Sequence, residues 1–320
     1  MKNFFKSLVP PLCCAVILAL STHAAEPLPK LLVGIPKAPP ALPLLRMIDS
    51  EALRDKAEIA IDVWSAPEQL IAMVQDGKHQ MFVLPLTVAA KLRNKGIEVK
   101  LTNINTWNVG YLTSTDPTVK TWTDLKGKKL FVPLKSSTPD ALTQYFLAHA
   151  GMKPETDVEL IYSSMPEIGQ LLKADAIENA IEHEPHLTAA LAGNPRLRVV
   201  LGFEDEWKKL EGDAATIPNA GFGATETFLA QHAELVRAFE KEYEKATIWT
   251  VENPEQAGAL AEKYLGLKAE TIAQAMPRLG LRYRTAAAAE PDAEQFYRML
   301  FAFSPETIGK KIPDATLYWK

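Results

Sequence analysis

The chain has 320 residues, 47% of them hydrophobic, and its 35 basic and 39 acidic side chains leave a net charge of −4. That is enough apolar material for two lobes or one large domain, without the basic excess that nucleic-acid binding calls for. Both cysteines, Cys13 and Cys14, lie near the N-terminus, so the chain beyond them has neither a disulfide framework nor a thiolate metal site.

Lys2 and Lys6 precede an apolar run from Leu8 to Leu20, which is followed by Ser21-Thr22-His23-Ala24-Ala25. This is the anatomy of a cleaved secretory signal peptide over residues 1–24, ending at Ala24 or Ala25. The run is short for a membrane span, and no later stretch is long enough to be one. A lipoprotein leader is the competing reading, but Pro10-Pro11-Leu12 is a poor context for lipidation of either cysteine. Loss of the two lysines with the leader takes the charge from −4 to −6.

Lys30 to Ile35 reads as a first strand, and Pro36, Pro39 and Pro40 around Lys37 stiffen the loop that follows. Leu44, Leu45, Ile48 and Leu53 mark an apolar helix face. Ile59 to Trp64 is a second strand, Pro67 to Gln75 a helix closed at Gly77, and Gln80 to Leu84 a third strand stopped by Pro85. A helix over Leu86 to Arg93 and a strand over Ile97 to Leu101 follow. Strands alternating with helices at this rhythm call for right-handed βαβ units and a mainly parallel sheet.

Trp107 to Ser114 is extended, without a helix signal. Lys129 to Val132 is a buried strand leading to Ser136, Ser137 and Thr138, which are N-cap residue types ahead of Pro139 and the apolar positions Leu142, Phe146 and Leu147. A helix opening here aims free N–H groups and the positive end of its dipole beyond the strand end. The three hydroxyls either cap the helix or hold a polar ligand group. Strand and helix signals then alternate again: 157–162, 165–172, 176–181, 185–191 and 198–201. Ile217 to Ala224 is extended and glycine-rich, and helical spacing dominates afterwards over 226–251, 254–265, 269–276 and 291–303. Ala286 to Ala289 reads as an exposed loop or helix end.

The predicted fold class is therefore α/β with two lobes, each a mainly parallel sheet flanked by helices, joined by two crossover strands. Lobe one takes residues 25–110 and 221–320, and lobe two residues 111–220. The strand Leu32 to Ile35 with its loop, the turn Asp124-Leu125-Lys126-Gly127 leading to Val132-Pro133 and Ser136-Ser137-Thr138, and Ile181-Glu182-His183-Glu184-Pro185 together resemble the periplasmic substrate-binding proteins of ABC importers. The group they resemble is the NMT1/THI5-like one, which includes nitrate, sulfonate, taurine and thiamine-pyrimidine binders. The resemblance covers essentially the whole chain after the leader. It implies a monomeric type II periplasmic binding protein that closes on a small molecule and delivers it to an inner-membrane permease, without catalysis or cofactor. A periplasmic sensor partner is the alternative. The family's pyrimidine-making enzymes use a cysteine-rich motif that is missing after the leader, and Gly-x-Ser-x-Gly, His-Glu-x-x-His and phosphate-loop patterns are absent as well.

Ligand contacts are expected from Lys37, Ala38 and Pro39 in the first loop, Trp64 and Ser65 at the second strand end, and Pro85 at the third. Trp107 and Asn108 in one crossover, Asn219 in the other, Ser136, Ser137 and Thr138 at the elbow, and His183 and Glu184 complete the set. His183-Glu184-Pro185-His186 invites a zinc reading, but Pro185 breaks the spacing and no thiolate assists, so no metal is expected. The stiff, apolar first loop calls for an organic ligand, its polar or anionic end near Ser136–Thr138 and its apolar part against lobe one.

Overall fold

Three apolar runs open the chain as strands β1 (Lys30–Pro36), β2 (Glu58–Trp64) and β3 (Met81–Pro85). Between them lie α1 (Leu42–Asp49) and α2 (Pro67–Gln75), each with a proline in its first turn, where the missing N–H costs nothing. The structure, a computed structural model, describes Met1 and residues 28–320, so the apolar run and cleavage site expected of a leader lie outside the described residues. β1 runs parallel to both β2 and β3. After α3 (Leu86–Asn94), the short strands β4 (Val99–Leu101) and β5 (Asn103–Thr106) end the first pass through this sheet.

The second sheet is built from β6 (Tyr111–Ser114), β7 (Lys129–Pro133), β8 (Glu159–Ser163), β9 (Asn179–Glu182) and β10 (Arg198–Gly202). Helices α4 (Thr138–His149), α5 (Met165–Lys173) and α6 (His186–Gly193) connect its strands, and α7 (Phe203–Glu211) follows β10. The chain then returns as β11 (Ala220–Thr225) and continues through α8 (Glu226–Gln231), α9 (Ala233–Glu252), α10 (Pro254–Leu265) and α11 (Ala269–Ala275). β12 (Leu281–Thr285) and α12 (Ala286–Phe303) complete the first sheet's layer.

The strand orders are β12-β5-β11-β3-β1-β2, with β4 on β11, and β10-β6-β9-β7-β8. Each sheet is thus a parallel βαβ core extended by an antiparallel strand: β11 against β3 in one, β6 against β9 in the other. Those are the strands that enter each sheet from a crossover. They make the pairing mixed where the βαβ rhythm alone predicts mainly parallel sheets.

Along β3 the side chains alternate between two cores. Met81 and Val83 join Leu44, Leu45, Phe239 and Tyr243 on one face. Phe82 and Leu84 join a second core that runs on through Leu130, Phe146, Trp207 and Phe296. α12 links the halves, with the Phe303 ring edge-on to Tyr145 at 5.1 Å and Phe296 near Trp207 at 6.4 Å. Residues 286–289 form its first turn, the helix end of the two readings of that stretch, with Ala286 and Ala289 fully buried and Ala287 and Ala288 exposed. The helix expected over 226–251 is interrupted at His232, which separates α8 from α9.

β11 carries Gly221 and Gly223 because the backbones of neighbouring strands press on it. A Cβ at Gly221 would stand 1.9 Å from the Asn103 carbonyl oxygen, and one at Gly223 2.7 Å from that of Lys100. Gly221→Ala is therefore expected to destabilise the protein by about 3 kcal/mol, read as a lower guanidinium midpoint with an unchanged slope. An unaltered midpoint would mean that β11 is not held this closely.

Candidate ligand-binding cleft

All the parallel strands of both sheets end at one cavity of about 470 Å³, the place where open α/β sheets hold ligands. One wall is Pro36, Lys37, Ala38, Pro39, Pro40, Trp64, Ser65 and Pro85, from the ends of β1, β2 and β3. The facing wall is Leu134, Met165, Pro166 and residues 183–186, after β7, β8 and β9. Thr106, Asn108, Val109, Gly110, Tyr111, Asn219 and Ala220 make the floor, and Arg278 and Leu279 close one end.

The floor consists of the two crossovers bonded to each other. The Asn219 backbone N–H donates to the Thr106 carbonyl at 2.9 Å, and its side-chain amide donates to the Asn108 carbonyl at 2.9 Å. The Asn108 amide in turn donates to the Tyr111 hydroxyl at 2.7 Å and to the Arg278 carbonyl at 3.1 Å, which the Tyr111 hydroxyl also reaches at 3.1 Å. Burial, with the negative charge of Glu184 nearby, pushes the Tyr111 phenol up to about 12. It therefore keeps its proton at neutral pH and goes on donating it.

Arg278 stands between α11 and β12, yet its guanidinium reaches the opposite half. Nε donates to the Glu184 carboxylate and Nη2 to the Thr188 hydroxyl at 2.6 Å. The other Glu184 oxygen accepts the Thr188 N–H at 3.0 Å. The carboxylate side chain is 3% exposed and the guanidinium side chain 31%, so the pair is buried on its acidic side. Nothing in the local pattern around Arg278 marks it in the sequence, because its partner lies 94 residues away.

His183 presents its ring to the cavity. Its Nδ1 lies 3.0 Å from the Glu184 carbonyl oxygen, its Nε2 faces the Met165 sulfur, and its ring centroid is 5.8 Å from that of His186. Burial, helped by the nearby His186, pushes His183 down to about 4. Beneath it Glu182 is fully buried, with Oε1 accepting the His183 N–H at 2.9 Å and Oε2 without a partner among the described residues.

A family model described as NMT1/THI5 like matches residues 56–257. The chain belongs to the NMT1/THI5-like family. No curated protein matches it. Among solved structures, this NMT1/THI5-like chain is similar to an ABC transporter protein from Parabacteroides distasonis, with 23% identity, a TM-score of 0.76, and coverage of 91% of this chain and 98% of the other. It is also similar to the periplasmic aliphatic sulphonate binding protein SsuA from Escherichia coli, at 18% identity, TM-score 0.74, and 91% and 92% coverage. The periplasmic nitrate-binding protein NrtA from Synechocystis PCC 6803 matches at 14% identity, TM-score 0.65, and 88% and 84% coverage. The fold of the NMT1/THI5-like chain is thus the two-lobed type II periplasmic binding protein fold.

Of the residues singled out from the sequence, Lys37, Ala38, Pro39, Trp64, Ser65, Pro85, Asn108, His183, Glu184 and Asn219 line the cavity. Trp107 does not. It is fully buried, its indole N–H donating to the Arg282 carbonyl at 2.7 Å and its ring lying under Arg284. Nor do Ser136, Ser137 and Thr138, since only Leu134 of that loop reaches the cavity. The Ser137 hydroxyl donates to the Pro133 carbonyl at 2.6 Å and accepts from the Asp140 N–H, while the Ser136 carbonyl accepts from the Thr307 hydroxyl at 3.1 Å. The elbow is occupied by its own helix cap and by the C-terminal turn.

Removing the guanidinium strands a buried carboxylate. Arg278→Met is therefore expected to cost about 3 kcal/mol in denaturant unfolding, most of it recovered when Glu184→Gln is added; additive single effects would show that the pair is not coupled. Glu182 gives a pH signature. Burial raises its carboxyl from 4.5 to about 8, so the unfolded chain ionises first and stability falls as pH climbs between those values. Glu182→Gln should leave stability near pH 4 little changed and raise it at pH 8 by a few kcal/mol, measured by urea titration at both pH values. Equal effects at the two would contradict a buried neutral carboxyl.

Proposed function

We propose that this protein is the solute-binding component of an ABC importer, acting outside the cytoplasmic membrane, and that its two lobes close on a small organic molecule for delivery to a permease. Family membership supports the class, and the cavity at the facing strand ends supports the mode of capture. Among the described residues no helix is long and apolar enough to cross a membrane.

The observation that carries the ligand class is the charge of the cavity wall. Glu184 and Arg278 neutralise each other, whereas Lys37, exposed on the first loop, has no ion-pair partner among the described residues. Prolines 36, 39, 40 and 85 and Trp64 surround it on that wall. A ligand that fits has an anionic end at Lys37 and a flat or apolar body against Trp64 and the prolines. This moves the anionic end from the Ser136–Thr138 elbow to the opposite lobe.

Titration calorimetry against a panel of small organic carboxylates and sulfonates tests the reading. Binding is expected to weaken roughly tenfold to a hundredfold in Lys37→Ala, the loss of one charge-assisted contact, and to stay unchanged in Ser136→Ala combined with Ser137→Ala. The reverse pattern would return the ligand to the elbow, and no binding by any member would overturn the class.

A further inference from the structure

The second lobe's wall of the cavity offers a ligand apolar surface and little free charge. Glu184 is engaged by Arg278. Burial pushes both His183 and His186 down, so neither ring is a cation at neutral pH. Leu134, Met165, Pro166 and Pro185 make up the rest of that wall. Leu134 is 53% exposed, and among the described residues no other exposed large hydrophobic side chain lines the cavity.

The backbone holds Leu134 in a disfavoured conformation. Its φ is 44° and that of Ser136 is 60°, in the left-handed region where Cβ crowds the carbonyl and where glycine or asparagine fits better. The conformation persists because the loop is pinned from several sides. The Leu134 N–H donates to the Ser163 carbonyl at 3.0 Å, and the Leu134 carbonyl accepts the Ser137 N–H at 3.1 Å. The Ser136 N–H donates to one Asp140 carboxylate oxygen at 2.7 Å, and the Tyr162 hydroxyl donates to the other at 3.0 Å. Lys135 pairs with Glu155 at 3.0 Å and lies over the Tyr162 ring. None of these bonds uses the leucine side chain, which is nevertheless aimed and fixed by them. Backbone outliers held this firmly belong to sites that clamp ligands.

We propose that Leu134 is a specificity-determining residue, the second lobe's apolar contact for the body of a ligand whose anionic end lies at Lys37 on the facing wall. This rests on organic-anion capture and deepens it. When the lobes close, the isobutyl group covers the part of the ligand that Trp64 and the prolines of the first lobe leave open, so the site selects for the length of the apolar body. The pinned loop sharpens the selection, because it loses no freedom on binding.

Titration calorimetry on the full chain tests the assignment, with carboxylates and sulfonates running from acetate and methanesulfonate to octanoate, octanesulfonate and phenylpropionate. In the parent, affinity should rise with length by up to about fourfold per buried methylene. Leu134→Ala should flatten that rise, with a loss of roughly tenfold for the longest member bound and progressively less for shorter ones. Leu134→Asn, which suits the left-handed backbone, should flatten it as well, while its guanidinium midpoint stays at or above the parent's. Leu210→Ala, exposed on α7, should follow the parent, and Lys37→Ala should lower all affinities by a similar factor. An unaltered length dependence in both Leu134 variants overturns the role of Leu134 and leaves organic-anion capture standing, whereas absence of binding by every member overturns both. A lower midpoint in Leu134→Asn would show that the leucine serves the fold, and overturns the assignment too.

Discussion

A chain that builds part of one sheet, all of another, and then returns must cross the gap twice, and here the two crossings are bonded to each other. Asn219 ties them, through its backbone to Thr106 and through its side chain to Asn108. Ala220 continues that tie as a strand pair with Thr106. Because each crossing strand is inserted next to a parallel core, the C-terminal strand ends of both sheets face one another above the same floor. The cavity follows from that connectivity before any particular side chain is considered.

Side chains then decide what the cavity does. Asn108 and Tyr111 hold the Arg278 carbonyl on the floor, and the guanidinium of the same residue holds Glu184 on the far lobe. Arg278 is thus fixed at both ends, and it removes Glu184 as a free charge from the ligand's surroundings. That leaves Lys37 on the facing wall as a cavity-lining charge with no ion-pair partner among the described residues. The link also bears on motion: the lobes are joined at Arg278 and along α12 as well as through the crossovers, so closure has to respect contacts beyond the hinge.

The βα rhythm was legible because each early strand is an apolar run bounded by prolines or glycines, and local physics suffices for that. α7 was not, since Phe203 and Trp207 are its only buried positions among charged neighbours, too few to show a period. β12 escaped for the opposite reason: five residues with arginines at Arg282 and Arg284 resemble a polar loop until β5 is there to pair with it. The elbow shows a further limit. A helix start with Ser136, Ser137 and Thr138 reads the same whether it faces a ligand or the turn at Thr307, because capping chemistry carries no information about what lies opposite. Arg278 depends on a partner from another element, which no local pattern reveals.

Capture of a ligand between the lobes, over the paired crossovers, would change the distance across the cavity. Spin labels at the exposed positions Asp55→Cys and Lys153→Cys, one on each lobe, in a chain with Cys13 and Cys14 replaced by serine, report the separation of the lobes directly. On saturation with the tightest-binding organic anion the distance distribution should shorten and narrow. An unchanged distribution at saturating ligand would place binding elsewhere and contradict the account.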